Sequence, residues 1–132
     1  MKYFTPAEAN KMLPLVKGIV TDILTAGQLI RTLSSKIDKP EEDPEINRLM
    51  DQLDELFDEL EGLGCSYRDW NFSEGLVDFP AMIRGQEALL CWKSNEDEVL
   101  FYHDLESGFA GRLPIPREHL AKIFPNKKPR PF

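Results

Sequence analysis

Apolar residues along the first 37 positions recur every three or four residues. Met12, Val16, Ile19, Ile23, Ala26, Ile30, Leu33 and Ile37 form one continuous stripe, widened by Leu13, Val20 and Leu24. That spacing predicts an amphipathic helix with a coiled-coil-like seam. Its start is marked by Thr5-Pro6-Ala7-Glu8: Thr suits the N-cap, Pro the first helical position and Glu the third position of a capping box. Pro14 falls inside the stripe and removes one backbone donor, so a single long helix with a kink is expected. Lys39-Pro40-Glu-Glu-Asp-Pro44 interrupts the period, and Asp43-Pro44 restarts it. A second seam follows through Ile46, Met50, Leu53, Phe57 and Leu60, flanked by Leu49, Leu56 and Leu63 and ended by Gly62 or Gly64. The short linker predicts an antiparallel helical hairpin over residues 5–64.

After Gly64 the period changes to alternation. Cys65–Trp70 reads as a short strand, and Gly75–Pro80 as an extended segment stopped by its proline. Gln86–Lys93 and Glu98–Asp104 are the clearest strands, with Ser94–Asp97 as the turn between them. A four-residue loop there sets Lys93 opposite Glu98, Trp92 opposite Val99, Leu90 opposite Phe101, Ala88 opposite His103 and Glu87 opposite Asp104. Pro114 and Pro116 lead into a short helix from Arg117 to Phe124. The fold class expected is α+β: a long antiparallel helical hairpin, then a small, largely antiparallel sheet and a short C-terminal helix. Residues 1–125 are read as one domain, with a β-rich half at 65–125 and a basic flexible tail at 126–132.

Composition narrows the classes. In 132 residues, 42% are hydrophobic and 30% charged, and the net charge is −7. No stretch is read as long and apolar enough to cross a bilayer, which takes about 20 residues, and the N-terminus has no secretory h-region. A cytoplasmic protein with no membrane partner is expected. Ten carboxylates and one base lie between Glu41 and Glu61. Nucleic acid is therefore not an expected partner, because binding it rests on neutralising phosphates. The first helix carries four bases and two acids, so the two flanks are matched in sign. Cys65 and Cys91 have neither disulfide-framework nor zinc-finger spacing and are expected to be reduced and packed.

No phosphate loop, nucleophile elbow or H-E-x-x-H motif is present. Candidate chemistry therefore rests on single residues. His103 lies in an aromatic-rich strand, whereas His119 sits beside Glu118 on the terminal helix, where a surface role is expected. Neighbours in a strand point to opposite faces, so His103 and Asp104 are not expected to act as a pair. The register instead opposes Glu87 and Asp104, two like charges that call for Arg84, Arg112, a divalent cation or a raised pKa to compensate, unless solvent screens them. Asp78, between Val77 and Phe79, is expected in a cap or salt bridge, or else facing a ligand. Arg112 follows Ser107-Gly-Phe-Ala-Gly111 on a constrained loop, where it ties down that loop or takes an anion. Cys91 reads as a buried strand thiol.

Tyr3-Phe-Thr-Pro-Ala-Glu-Ala-Asn10 with Leu13-Pro14, Gly75-Leu-Val-Asp-Phe-Pro80, Leu90-Cys-Trp92, Tyr102-His103 and Gly108-Phe-Ala-Gly-Arg-Leu-Pro114 together resemble a bacterial family, domain of unknown function 2203. The resemblance covers nearly the whole chain before its tail. It implies the fold boundary and the candidate positions, without an activity, cofactor or substrate.

The seams, the acidic helix and the lack of a catalytic template lead to the expectation of a non-enzymatic interaction or scaffolding module. A homodimer through the helices is expected, with a further protein partner as an option. The alternative is a small-molecule or metal-binding protein, hydrolase-like if catalytic. Its ligand-binding candidates are Asp78, Glu87, His103, Asp104 and Arg112; cofactor and metal are left unassigned.

Overall fold

The computed structural model describes residues 2–120. The basic tail at 126–132, and the expected extension of the terminal helix to Phe124, lie outside the described residues. Helix α1 spans Pro6–Ser34 and begins as its sequence dictates. The Thr5 hydroxyl accepts from the Glu8 N–H at 3.1 Å, while the Glu8 carboxylate accepts from the Thr5 N–H at 2.9 Å. One continuous helix passes through Pro14. It ends at Ser34, short of Ile37, because the Ser35 and Lys36 N–H groups turn back to Arg31 and Leu33 and the Ser35 hydroxyl donates to Thr32 O at 2.8 Å. Helix α2 spans Pro44–Leu63, with Asp43 accepting from the Ile46 N–H at 2.9 Å and Gly64 closing it at φ 97°.

Five strands follow: β1 (Ser66–Tyr67), β2 (Leu76–Ile83), β3 (Gln86–Lys93), β4 (Phe101–His103) and β5 (Leu113–Pro114). They form an antiparallel meander in chain order. A short helix α3 (Arg117–Leu120) follows. Alternation gives the sheet two faces. Val77, Phe79, Ala81, Ala88, Leu90 and Trp92 face inward and share one core with Leu13, Val16, Val20 and Ile23 of α1 and Leu53 and Leu60 of α2. Most of both helical seams lies in this packing, with Met50 of the second seam exposed.

Three strand expectations are corrected. Pro80 does not stop β2, which continues to Ile83. Its carbonyl accepts from the Phe4 N–H at 2.6 Å, so the side of Pro80 that lacks a donor faces the N-terminal segment and not β3. The β3–β4 loop is longer than four residues, since β4 begins only at Phe101. The Val99 N–H and carbonyl both bond to the Asn10 side chain of α1, at 2.7 and 3.2 Å, which draws this segment off β3. The register accordingly slips by one, pairing Leu89 with His103, Leu90 with Tyr102 and Cys91 with Phe101.

α1 also corrects the reading of apolar length. An 18-residue window in it has mean hydropathy 1.3, enough by length and composition to cross a membrane. In this fold Ala9, Leu13, Val16, Ile19, Val20, Ile23 and Ala26 of that helix are buried core residues.

Candidate functional site

The outer face of the sheet holds the chemistry, and a tight turn sets its register. Arg84 and Gly85, at φ 52° and 78°, form the two-residue connection between β2 and β3. Counting back from it, Asp78 lies opposite Cys91, and on its other side opposite Ser66. His103 lies two residues along, opposite Leu89. All three point away from the helices, and all are buried: Asp78 is 5% exposed, His103 3% and Cys91 1%.

The imidazole reaches across β3, and its Nε2 lies 3.2 Å from Asp78 Oδ1. Asp78 Oδ2 lies 3.3 Å from Arg68 Nε. On the other edge of the ring, Nδ1 is 2.6 Å from the Asp104 carbonyl oxygen. A carbonyl only accepts, so Nδ1 carries a proton and Nε2 shares a single proton with Asp78. The carboxylate Oδ, Cys91 Sγ and the imidazole nitrogen all lie within 4.8 Å of one another.

Burial is the main force on both acids of this cluster. It pushes the Asp78 carboxyl above its ordinary pKa, opposed by His103 and Arg68. It lifts the Cys91 thiol to about 11, reinforced by the Asp78 charge and opposed by Arg112. Asp78 takes the Nε2 side of His103, and Nδ1 is committed to the backbone. A relay from thiol through imidazole to carboxylate needs one partner on each ring nitrogen, so the cluster does not have the layout of a nucleophile–base–acid triad. Its geometry is three donors grouped within 4.8 Å of one another.

A cavity of about 320 Å³ opens beside these groups, lined also by Arg68, Leu76, Leu89, Leu105 and Phe109. The connection from Asp104 to Arg112 borders it. The Asp104 carboxylate accepts from the Glu106 and Ser107 N–H groups at 2.9 and 2.7 Å, which starts the turn and holds this carboxyl below its usual range. Gly108, at φ 63°, then reverses the chain into a turn of 3-10 helix at Phe109–Gly111. Arg112 closes the connection: its guanidinium stacks 4.1 Å from the Phe101 centroid and 4.3 Å from that of Phe109 and makes a two-pronged ion pair with Glu96.

Of the five sequence candidates, the structure brings Asp78 and His103 together. Asp104 joins through its backbone carbonyl and not its carboxylate. Arg112 lies against Cys91, with its charge answered by Glu96. Glu87 stands apart, accepting from the Tyr3 hydroxyl at 2.7 Å. The expected opposition of Glu87 and Asp104 does not exist, because the β3–β4 register is shifted by one residue and β4 ends at His103. Arg84 bridges neither acid and pairs with Glu118 at 2.8 Å, and His119 accepts from the Arg84 N–H at 3.3 Å. Cys91 and Arg68 are the members that sequence reasoning missed. The signal for Cys91 was Arg84-Gly85: read as a two-residue turn, it pairs residue 78 with residue 91.

No curated protein and no solved structure matches this chain. The model of one family does, over residues 2–115, a span that contains α1, α2, the five-stranded sheet, Asp78, Cys91 and His103. The chain belongs to that family, described as uncharacterized conserved protein DUF2203.

Proposed function

We propose that the protein binds a small ligand in the cavity on the outer face of its sheet, with Asp78, Cys91 and His103 as the contacting polar groups. One observation carries this reading: three ionisable side chains from three strands are buried together at the wall of a cavity of about 320 Å³. Burying such groups is costly, and a structural ion pair needs two partners, not three beside open volume. Perturbed acids in a concave site are the usual mark of a binding or reacting centre. Most of the apolar seam of α1 and α2, one of the grounds for expecting a scaffolding module, packs inside the core, while Met50 stays exposed.

Native mass spectrometry of tag-free protein purified without chelators tests the reading. The expected result is a stoichiometric mass above the 15.2 kDa chain, lost in a D78A/H103A double variant and kept in Glu87→Gln. A bare wild-type chain under the same conditions would overturn it.

A further inference from the structure

We propose that the ligand of this site is a divalent transition-metal ion, Zn²⁺ foremost, held by Asp78 Oδ1, Cys91 Sγ and His103 Nε2, with a fourth position open to the cavity. The inference rests on the reading that the cavity is a ligand site, and it names the ligand.

Four observations carry it. First, in a tetrahedral zinc site with bonds of about 2.0–2.3 Å, neighbouring ligand atoms stand about 3.4 Å apart. Nε2 and Asp78 Oδ1 already stand at 3.2 Å, and Cys91 Sγ completes the triangle within 4.8 Å. Second, His103 is set for ligation. Its Nδ1–H donates to the Asp104 carbonyl, which fixes the ring and turns Nε2 toward Asp78 Oδ1; this is the outer partner that metal-bound histidines ordinarily have. Third, Arg68 holds Asp78 by Oδ2 and leaves Oδ1 facing inward.

Fourth, the charges balance. A carboxylate and a thiolate neutralise a divalent cation, whereas without one Cys91 keeps its proton and is neutral. Coordination makes Cys91 release its thiol proton and displaces the proton that His103 Nε2 shares with Asp78, and both leave for solvent. The donor set of nitrogen, sulfur and oxygen suits zinc and its neighbours rather than magnesium or calcium, which take oxygen alone. Three protein ligands with a free position is also the arrangement of zinc sites that take a further ligand. Here that position faces a cavity walled by Leu76, Leu89, Leu105 and Phe109, with Arg68 as its cation.

Cobalt substitution tests the site directly. Tag-free protein is stripped of metal, titrated with Co²⁺ and followed by absorbance. The expected result is one equivalent bound, with the thiolate-to-cobalt charge-transfer band and the intense visible bands of four-coordinate Co²⁺. Cys91→Ser removes the charge-transfer band and Cys65→Ser retains it. His103→Gln weakens binding by about a hundredfold, and Arg68→Ala, which acts only through Asp78, by about tenfold. Circular dichroism of each metal-free variant checks the fold, and the wild-type spectrum alone decides the case if a variant does not fold. No cobalt band in folded wild type, or a band that persists in Cys91→Ser, overturns the metal site. If wild type then still carries a non-metal mass in the native spectrum, the cavity remains a ligand site and only its metal is refuted. A bare chain with no band refutes both.

Discussion

Asn10 does for the fold what no backbone group does. Its side-chain amide donates to Pro6 O at 2.9 Å and to Val99 O at 3.2 Å, and its carbonyl accepts from the Val99 N–H at 2.7 Å. Asn10→Ala leaves a part-buried backbone donor and acceptor unpaired. A loss of about 1–3 kcal/mol is therefore expected, read as a lower urea midpoint at unchanged slope. The same residue explains a failure of pattern reading. Alternation from Glu98 to Asp104 predicts a strand from its first residue, but Val99 is already bonded to α1, a fact that lies 89 positions away in the chain. Cys65 gives a second residue-scale prediction. Burial lifts its thiol to about 11, against an ordinary value of 9.0. The unfolded chain thus loses this proton first as pH rises, so its contribution to stability is complete below pH 9 and lost between about pH 9 and 11. The size is of order 2–3 kcal/mol. Urea midpoints of Cys65→Ala should fall less steeply over that interval than those of wild type.

Among the elements, what was legible follows from locality. Both long helices are announced by side chains that bond within three residues of themselves, Thr5 with Glu8 and Asp43 with Ile46, and Gly64 ends α2 where the period ends. The seams needed only spacing. β3 was legible in full because its alternation runs unbroken into the Ser94–Asp97 turn, whereas β2 was cut short at Pro80, since nothing local reveals that its donorless side faces Phe4. The candidate site was half legible. Asp78 and His103 stood out as polar residues in apolar strands, but their meeting with Cys91 depends on two strand registers at once. One of those hangs on Arg84, a non-glycine residue at φ 52°. Asparagine adopts this conformation at less cost, and Asn-Gly is the preferred pair for such a turn. The exposed Arg84–Glu118 pair lost in exchange contributes little. Arg84→Asn is therefore expected to stabilise the chain, by up to about 1 kcal/mol, as a rise in urea midpoint; a fall would show that the pair to Glu118 outweighs the turn.

At the level of the whole molecule, two locally connected halves, a helical hairpin and a meander, share one core. The site lies on the opposite face of the sheet from that core. Besides Phe4, packed edge-on against Phe79 in the core, polar contacts fasten the start of the chain to the sheet: Phe4 N to Pro80 O, the Tyr3 hydroxyl to Glu87, and Asn10 to Val99. Each closes a loop of more than 70 residues, whereas the meander and the hairpin close loops of a few residues, and the entropy of long loops is recovered only once both ends are ordered. These contacts belong on the native side of the folding barrier. Asn10→Ala should then leave the refolding limb of the chevron where it is and raise the unfolding limb, so that the tie acts as a brake on opening rather than a guide to assembly; a slowed refolding limb would reverse that order.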